Sequence, residues 1–178
     1  MIYEPREDSF LLRKYVKQYV KKGGKVLDMG TGSGIQAIAA LKITDNVTAV
    51  DINKACIDNL KKTHPNIQAI QSDLFSNVPK NETFDLIIFN PPYLPEEKRE
   101  TFEERTVLSG GKYGHELLER FFRQAKKYLK PEGKILVVFS SLTGDIKEKI
   151  QALGYSMTRL AEESFFFEKI GVYYIARK

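Results

Sequence analysis

The chain has 178 residues, of which 42% are hydrophobic and 29% charged, and this size and composition are typical of one globular domain with its own core. No apolar run approaches the roughly 18 residues of a membrane span, and the N-terminal segment lacks the apolar centre of a secretory signal. The net charge of +5 permits an anionic partner such as RNA without requiring one. The single cysteine, Cys56, excludes an internal disulfide and favours a cytoplasmic protein.

The hydrophobic pattern alternates between helical and extended segments along the chain. The first predicted helix covers about residues 7–21 and ends at Gly23-Gly24. Further helices are predicted over residues 35–43, 53–63, 115–129 and 144–154. Strands are predicted over residues 25–30, 46–52, 66–73, 83–90, 133–141, 155–161 and 170–177.

Strands that are joined by helices of 10 to 15 residues predict an α/β domain, residues 1–178, with a mostly parallel sheet and helices on both faces. The strands are continuous apolar runs, as expected for a sheet that is covered on both sides. The strand at 66–73 is more polar, so we place it toward an edge of the sheet. The segment 93–113 has no periodicity and is either a substrate loop or a disordered excursion, and its start directly after residues 90–92 favours the substrate loop.

The sequence LDMGTGSG, residues 27–34, predicts a strand, a glycine-rich turn and a helix start. Gly30, Gly32 and Gly34 would let the backbone turn tightly and approach a ligand, and the helix that follows presents free N–H groups. Asp28 would repel a pyrophosphate, but it would bind the ammonium group of an amino-acid-like ligand. This combination points to S-adenosyl-L-methionine (AdoMet) as the cofactor, which would leave as S-adenosyl-L-homocysteine.

Polar side chains also follow the next two predicted strands. Asp51 ends the second strand, where it would accept hydrogen bonds from both ribose hydroxyls, with Ile52 beside it in the predicted cofactor site. Asp73 ends the third strand, where it would accept the exocyclic amine of an adenine, with Leu74 lining the ring. An aspartate at a strand end is common in turns, but a series of them at the ligand-binding edge of an α/β sheet favours a cofactor site.

The fourth strand ends in the rigid corner Asn90-Pro91-Pro92-Tyr93, next to the reactive end of the predicted cofactor, so Asn90 also belongs to the predicted cofactor site. The Asn90 side-chain oxygen and the Pro91 carbonyl would accept the two N–H groups of a planar –NH2, and Tyr93 would stack on its plane. Such an arrangement suits the weakly nucleophilic nitrogen of an amide or of an adenine.

Several substrates therefore stay open at this point: a protein amide, the N6 amine of adenine in RNA or DNA, and a protein lysine whose cation would face Tyr93. A catalytically inactive AdoMet-binding scaffold is a further alternative, which the intact Asn90 and Tyr93 disfavour. Nucleic acid is possible but not favoured, because the sequence has neither a target-recognition domain nor a concentrated basic stripe. No cluster has metal-ligand spacing, so we expect no intrinsic metal.

Several motifs carry a resemblance to a known family. DMGTGSG together with NPPY resembles the class I AdoMet-dependent methyltransferases that act on nitrogen. The opening YEPREDSFLL, residues 3–12, and the stretch GGKYGHELLERFF, residues 110–122, are similar to the short HemK-like protein-glutamine N5-methyltransferases of eukaryotes and archaea.

The resemblance implies a Rossmann-like fold with an antiparallel C-terminal strand. It implies methylation of the glutamine amide in the Gly-Gly-Gln motif of a class I translation release factor, with Asn90, Pro91, Pro92 and Tyr93 as the catalytic residues. It also implies that Ser9 reaches the methionine end of the cofactor. A small zinc-binding activator protein is the implied partner, and it would form a heterodimer through the edge of the third strand.

Overall fold

The computed structural model describes residues 5–92, 115–165 and 168–178. The helices in these ranges are α1 (Glu7–Tyr19), α2 (Ile35–Leu41), α3 (Lys54–Thr63), α4 (Glu116–Ala125) and α5 (Ile146–Ala152). The strands are β1 (Val26–Met29), β2 (Val47–Asp51), β3 (Gln68–Gln71), β4 (Phe84–Phe89), β5 (Leu129–Ser140), β6 (Tyr155–Phe165) and β7 (Glu168–Arg177). None of the described helices has both the length and the apolar character that crossing a membrane requires.

The strands form one seven-stranded sheet in the order β3-β2-β1-β4-β5-β7-β6. The first five strands in this order pair in parallel, and β7 pairs antiparallel with both β5 and β6. The predicted α/β class, the mostly parallel sheet and the antiparallel C-terminal strand are therefore confirmed. Strands β2 and β3 lie on one side of β1, whereas β4 and the later strands lie on its other side. The gap between the ends of β1 and β4 is therefore the switch point of the strand order, where open α/β sheets bind their ligands.

Two hydrophobic clusters cover the two faces of the sheet. Alternate residues of β4 serve different faces: Ile87 and Phe89 pack in the cluster that includes α4 and α5, whereas Leu86 and Ile88 pack in the cluster that includes α1, α2 and α3. This division explains why β4 is a continuous apolar run rather than an alternating one. Burial of large side chains on both faces stabilises the sheet and fixes the position of its strand ends.

Several element ends differ from the sequence prediction by two to four residues, including the end of β6 at Phe165 instead of residue 161 and the boundary between α4 and β5. The helix predicted over 115–129 ends at Ala125, and the next strand begins at Leu129 instead of residue 133. Leu129 pairs with Phe84 before an irregularity in the β4–β5 register, so partner pairing extends the strand through Pro131 and Gly133. The polar strand β3 lies at the edge of the sheet, as its composition predicted.

Candidate active site

The glycine loop after β1 has a backbone that only glycine adopts easily. Gly30, Gly32 and Gly34 have φ values of 64°, 52° and 84°. A Cβ added at Gly34 would lie 2.7 Å from Leu60 Cδ1, and one at Gly30 would lie 3.3 Å from Phe89 Cε2. A side chain at Gly34 would therefore force Leu60 or the loop to move, whereas one at Gly30 would make a tight contact with the Phe89 ring.

The buried Asp28 side chain stabilises this loop through hydrogen bonds. Its side chain is 1% exposed, and its Oδ2 accepts hydrogen bonds from Thr31 Oγ1 at 2.6 Å and from the Ala37 backbone N–H at 3.0 Å. Burial raises the pKa of Asp28 to about 7, against the opposing effect of these two hydrogen bonds. The carboxyl group therefore ties the loop to the first turn of α2. Ammonium binding by Asp28 remains a prediction.

Asp51 holds the other side of the loop. Its Oδ2 accepts a hydrogen bond from the Gly32 N–H at 2.8 Å, and its Oδ1 accepts one from the Asn53 N–H at 2.8 Å. Burial raises the pKa of Asp51 above its ordinary value. The adjacent Ile52 is 55% exposed, so a large apolar side chain stands in solvent beside this carboxylate. Ribose binding by Asp51 remains a prediction, and its position next to the loop suits that role.

Asp73 follows β3 and forms an ion pair with Arg120 of α4, through its Oδ1. Both side chains are about half exposed. Leu74 has a φ of 47°, which is unusual for a side chain of this size, and it packs in the core cluster beneath α4. The predicted adenine contacts of Asp73 and Leu74 remain predictions, and an adenine amine would share the Asp73 carboxylate with Arg120.

Asn90 directly follows β4, and its side chain is oriented by the first turn of α1. Its Nδ2 donates to Ser9 Oγ at 3.0 Å and to Asp8 Oδ2 at 3.2 Å. Its Oδ1 is buried and has no hydrogen-bond partner in the described part of the chain. Pro91 is buried and Pro92 half-buried. Tyr93 and the predicted substrate loop 93–113 lie outside the described residues.

Strand register brings these groups to one edge of the sheet. Met29 lies opposite Val50 of β2 and opposite Phe89 of β4. Gly30 and Asn90, which follow Met29 and Phe89, therefore leave the sheet side by side. Asp28, Asp51 and Asn90 thus lie at the same edge of the sheet, around the switch point between β1 and β4, and Asp73 follows the outer strand β3.

Three contributors to the site were missed by the sequence reasoning. Asp8 touches Asn90, Gln36 donates from Nε2 to the Ser9 carbonyl at 2.9 Å, and Arg120 pairs with Asp73. Asp8 could have been found, because it precedes Ser9 in the quoted opening motif. Nothing in the local pattern around Gln36 or Arg120 signals these contacts.

The site fits a nucleoside cofactor with a substrate amine beside it. The glycine loop has positive φ values that allow a tight turn beside a ligand, and carboxylates lie at or near the ends of β1 and β2. The buried Asn90 Oδ1 needs an N–H donor that the described residues do not provide. A ligand nitrogen at this position would complete its hydrogen bonding.

Fold and site together define a class I AdoMet-dependent methyltransferase. Residues 8–166 match the methyltransferase small domain family, and the chain belongs to this family. It is 38% identical over 180 residues to a protein of Methanocaldococcus jannaschii named "Putative protein N5-glutamine methyltransferase", with 96% of this chain and 89% of that protein covered. The resemblance to protein-glutamine methyltransferases is thereby confirmed, and AdoMet is the cofactor.

Two further similar proteins are a bacterial methyltransferase and a chain of a solved complex. It is 32% identical over 164 residues to the release factor glutamine methyltransferase of Rhodopirellula baltica, covering 82% of this chain and 55% of that protein. The chain therefore spans about half the length of this bacterial relative. Among solved structures, the Mtq2–Trm112 complex of E. cuniculi, which methylates the termination factor eRF1, has a chain with a TM-score of 0.79, 21% identity and 99% coverage of both chains. This likeness shows the same fold.

Proposed function

We propose that this protein methylates the side-chain amide of the glutamine in the Gly-Gly-Gln motif of a class I translation release factor. The observation that carries the proposal is the Asn90 Oδ1, a buried acceptor without a partner in the described part of the chain, at the switch point of the sheet. An amide –NH2 offers the planar donor that this atom lacks. The names of the relatives from M. jannaschii and R. baltica support glutamine as the methylated residue.

The chemistry needs a poorly nucleophilic nitrogen to be held in line with a methyl group. Bound AdoMet supplies that electrophilic methyl group. Asn90 Oδ1 and the Pro91 carbonyl would accept one N–H each, so that the nitrogen lone pair faces the methyl carbon. The same two acceptors would stabilise the positive charge that develops on the nitrogen during transfer, and the nitrogen would lose one of its two protons to solvent after the methyl group has arrived. Pro92 would stiffen the corner, and Tyr93 would stack on the amide plane.

The cofactor would lie across the ends of β1, β2 and β3. Asp28 would face its ammonium group, and Asp51 its ribose hydroxyls, while Gly30 and Gly32 allow close approach of the backbone. At the two ends of the cofactor, Ser9 would face the methionine part and Asp73 the adenine amine.

Ile52 and Leu74 would line the adenine ring as apolar neighbours. The 55% exposure of Ile52 supports this role, because its side chain is available to cover a ring beside Asp51.

We further propose that a small zinc-binding activator protein pairs with the outer edge of β3. The described β3 is short and its end residues Gln68 and Gln71 are exposed, which supports an accessible strand edge. The solved Mtq2–Trm112 complex, which contains a chain of the same fold, supports a protein partner for this chain. We propose that residues 1–178 act as one catalytic domain in the cytoplasm, where release factors work, with 93–113 as the substrate loop.

The first experiment is methyl transfer from radiolabelled AdoMet to a class I release factor, with and without the zinc-binding partner. The control substrate is the same factor with the glutamine of its Gly-Gly-Gln motif changed to alanine. Label on the wild-type factor and none on the control is the expected result. Label on RNA, single-stranded DNA or a lysine of another protein, with none on the release factor, would overturn the glutamine proposal.

The role of Asn90 is tested by Asn90→Ala, with Asn59→Ala as a matched control that removes an exposed carboxamide from α3. Asn90→Ala should abolish turnover and leave AdoMet binding within about twofold of wild type, because Asn90 acts on the substrate nitrogen. Calorimetry measures the binding. Full activity of Asn90→Ala would remove the basis of the proposal.

A further inference from the structure

The first turn of α1 contains a buried carboxyl group that contacts the candidate catalytic asparagine. Asp8 is 5% exposed and the adjacent Ser9 is 2% exposed. Asp8 Oδ2 lies 3.2 Å and Ser9 Oγ lies 3.0 Å from Asn90 Nδ2, across a separation of more than eighty residues in sequence. Both acceptors meet the same nitrogen, so they hold one end of the Asn90 carboxamide.

We propose that Asp8 is a positioning residue, whose carboxylate, with the Ser9 hydroxyl, holds Asn90 so that its Oδ1 faces the substrate nitrogen. The inference rests on the proposed function, because Asp8 would matter for catalysis only if Asn90 Oδ1 accepts the N–H of the substrate amide. Asp8 itself touches neither the substrate nor the reacting atoms in this scheme.

The orientation argument follows from the shape of a carboxamide. Its oxygen and its nitrogen are nearly equal in size, so steric packing alone selects neither of the two orientations. Turning Asn90 over would place its Oδ1 against the Asp8 carboxylate, and two acceptors would then face each other without a proton between them. The Asp8 carboxylate therefore selects the orientation in which the free oxygen points away, toward the site.

Asp8 would also strengthen Asn90 as an acceptor. A hydrogen bond donated from Nδ2 to a carboxylate polarises the whole carboxamide and increases the negative charge on Oδ1. That oxygen would then hold the substrate N–H more strongly as positive charge develops on the nitrogen. The effect is larger in the transition state than in the ground state, so it should appear in kcat.

Local structure explains how this carboxyl group is accommodated in the protein. Asp8 Oδ1 accepts hydrogen bonds from the Ser9 backbone N–H at 2.6 Å and from Ser9 Oγ at 3.2 Å. Its position in the first turn of α1 is also favourable for a negative group. The turn is anchored to α2, since Gln36 Nε2 donates to the Ser9 carbonyl at 2.9 Å. Asp8 is therefore held in place before it meets Asn90.

The first test compares Asp8→Asn with Glu7→Gln. Glu7 is the exposed acidic neighbour in the same turn, so the control removes a charge from the helix start without touching Asn90. Asp8→Asn should lower kcat on the release factor by at least about tenfold, the usual effect of a lost hydrogen bond to a charged group, with the Kd of AdoMet changed less than about twofold. Glu7→Gln should leave both unchanged. An Asp8→Asn variant with the kcat of Glu7→Gln would overturn the proposal.

A second readout does not depend on the substrate. Nuclear magnetic resonance of the 15N-labelled protein follows solvent exchange of the Asn90 side-chain NH2, which is identified by its loss in Asn90→Asp. Exchange should be at least about tenfold faster in Asp8→Asn than in the wild type and in Glu7→Gln, because the carboxylate no longer holds the NH2 group. Equal exchange in all three proteins would refute the contact with Asp8.

The kinetic and exchange measurements distinguish failure of the proposed function from failure of the positioning role of Asp8. If the wild type leaves the release factor unlabelled and exchange still depends on Asp8, the proposed function fails and the positioning contact stands. If the wild type methylates the factor and neither kcat nor exchange responds to Asp8→Asn, the positioning role fails and the proposed function stands.

Discussion

The buried Asp28 carboxyl group makes the stability of this protein depend on pH in a direction opposite to that of an ordinary paired aspartate. Burial raises its pKa from 3.8 to about 7 in the folded protein. In the unfolded chain the group ionises near pH 4, so the folded state binds the proton more tightly between these two values. The contribution of Asp28 to the free energy of unfolding is therefore fully present below about pH 4 and is lost as the pH rises to about 7.

The perturbation that isolates this effect is Asp28→Asn. The asparagine oxygen would still accept the hydrogen bonds from Thr31 Oγ1 and the Ala37 N–H, but the side chain would stay neutral at every pH. A shift of about three pKa units corresponds to about 4 kcal/mol over the full range. Between pH 5 and pH 8, the free energy of unfolding of the variant should therefore rise by about 3 kcal/mol relative to the wild type.

Urea denaturation at the two pH values, without AdoMet, measures this difference. Asp45→Asn is the matched control, because Asp45 is an exposed aspartate just before β2. Its free energy of unfolding should change in parallel with that of the wild type. If the Asp28→Asn and wild-type values also change in parallel between pH 5 and pH 8, the pKa of Asp28 is not raised and the reasoning is wrong.

Two substitutions in the scaffold test the packing around the site and the core. Gly34→Ala should lower the free energy of unfolding by about 2–3 kcal/mol, because its Cβ would meet Leu60 Cδ1 at 2.7 Å in addition to the strained φ. Gly23→Ala is the control, because Gly23 has a similar φ and no described heavy atom lies within 4 Å of its added Cβ. It should lower the free energy of unfolding by about 1 kcal/mol. Equal losses of unfolding free energy in the two variants, measured by urea denaturation, would contradict the steric argument. Tyr155→Phe should cost about 1–2 kcal/mol by the same measurement, because the fully buried hydroxyl donates to the Phe122 carbonyl at 2.8 Å, and an unchanged value would refute that role.

Much of the architecture was predictable because its signals are local. The apolar runs and the helices between them predicted a covered parallel sheet, and the polar composition of residues 66–73 predicted an edge strand. The loop after β1 was predictable for a similar reason, since the glycines at positions 30, 32 and 34 favour a tight turn and have positive φ values in the structure.

The start of β5, which was predicted four residues too late, could not be found from local sequence signals. Residues 126–129 continue the helical pattern and Pro131 follows them, so a helix to 129 and a strand from 133 were the natural interpretation. In the structure, Leu129 pairs with Phe84, and this contact with a strand more than forty residues earlier decides the boundary. Strand pairing depends on the partner, which periodicity within a segment does not reveal.

The sequence by itself determined the order of elements and the polar residues that follow each strand, because these depend on periodicity and on turn-forming residues close in the chain. The tertiary structure decided which partners those residues have. Asp8 and Gln36 join Asn90 and Ser9, and Arg120 joins Asp73, only because α1, α2 and α4 pack beside the same edge of the sheet. Such contacts depend on helix packing between distant segments, and the buried Asn90 oxygen becomes visible as a candidate catalytic acceptor only after that packing is known.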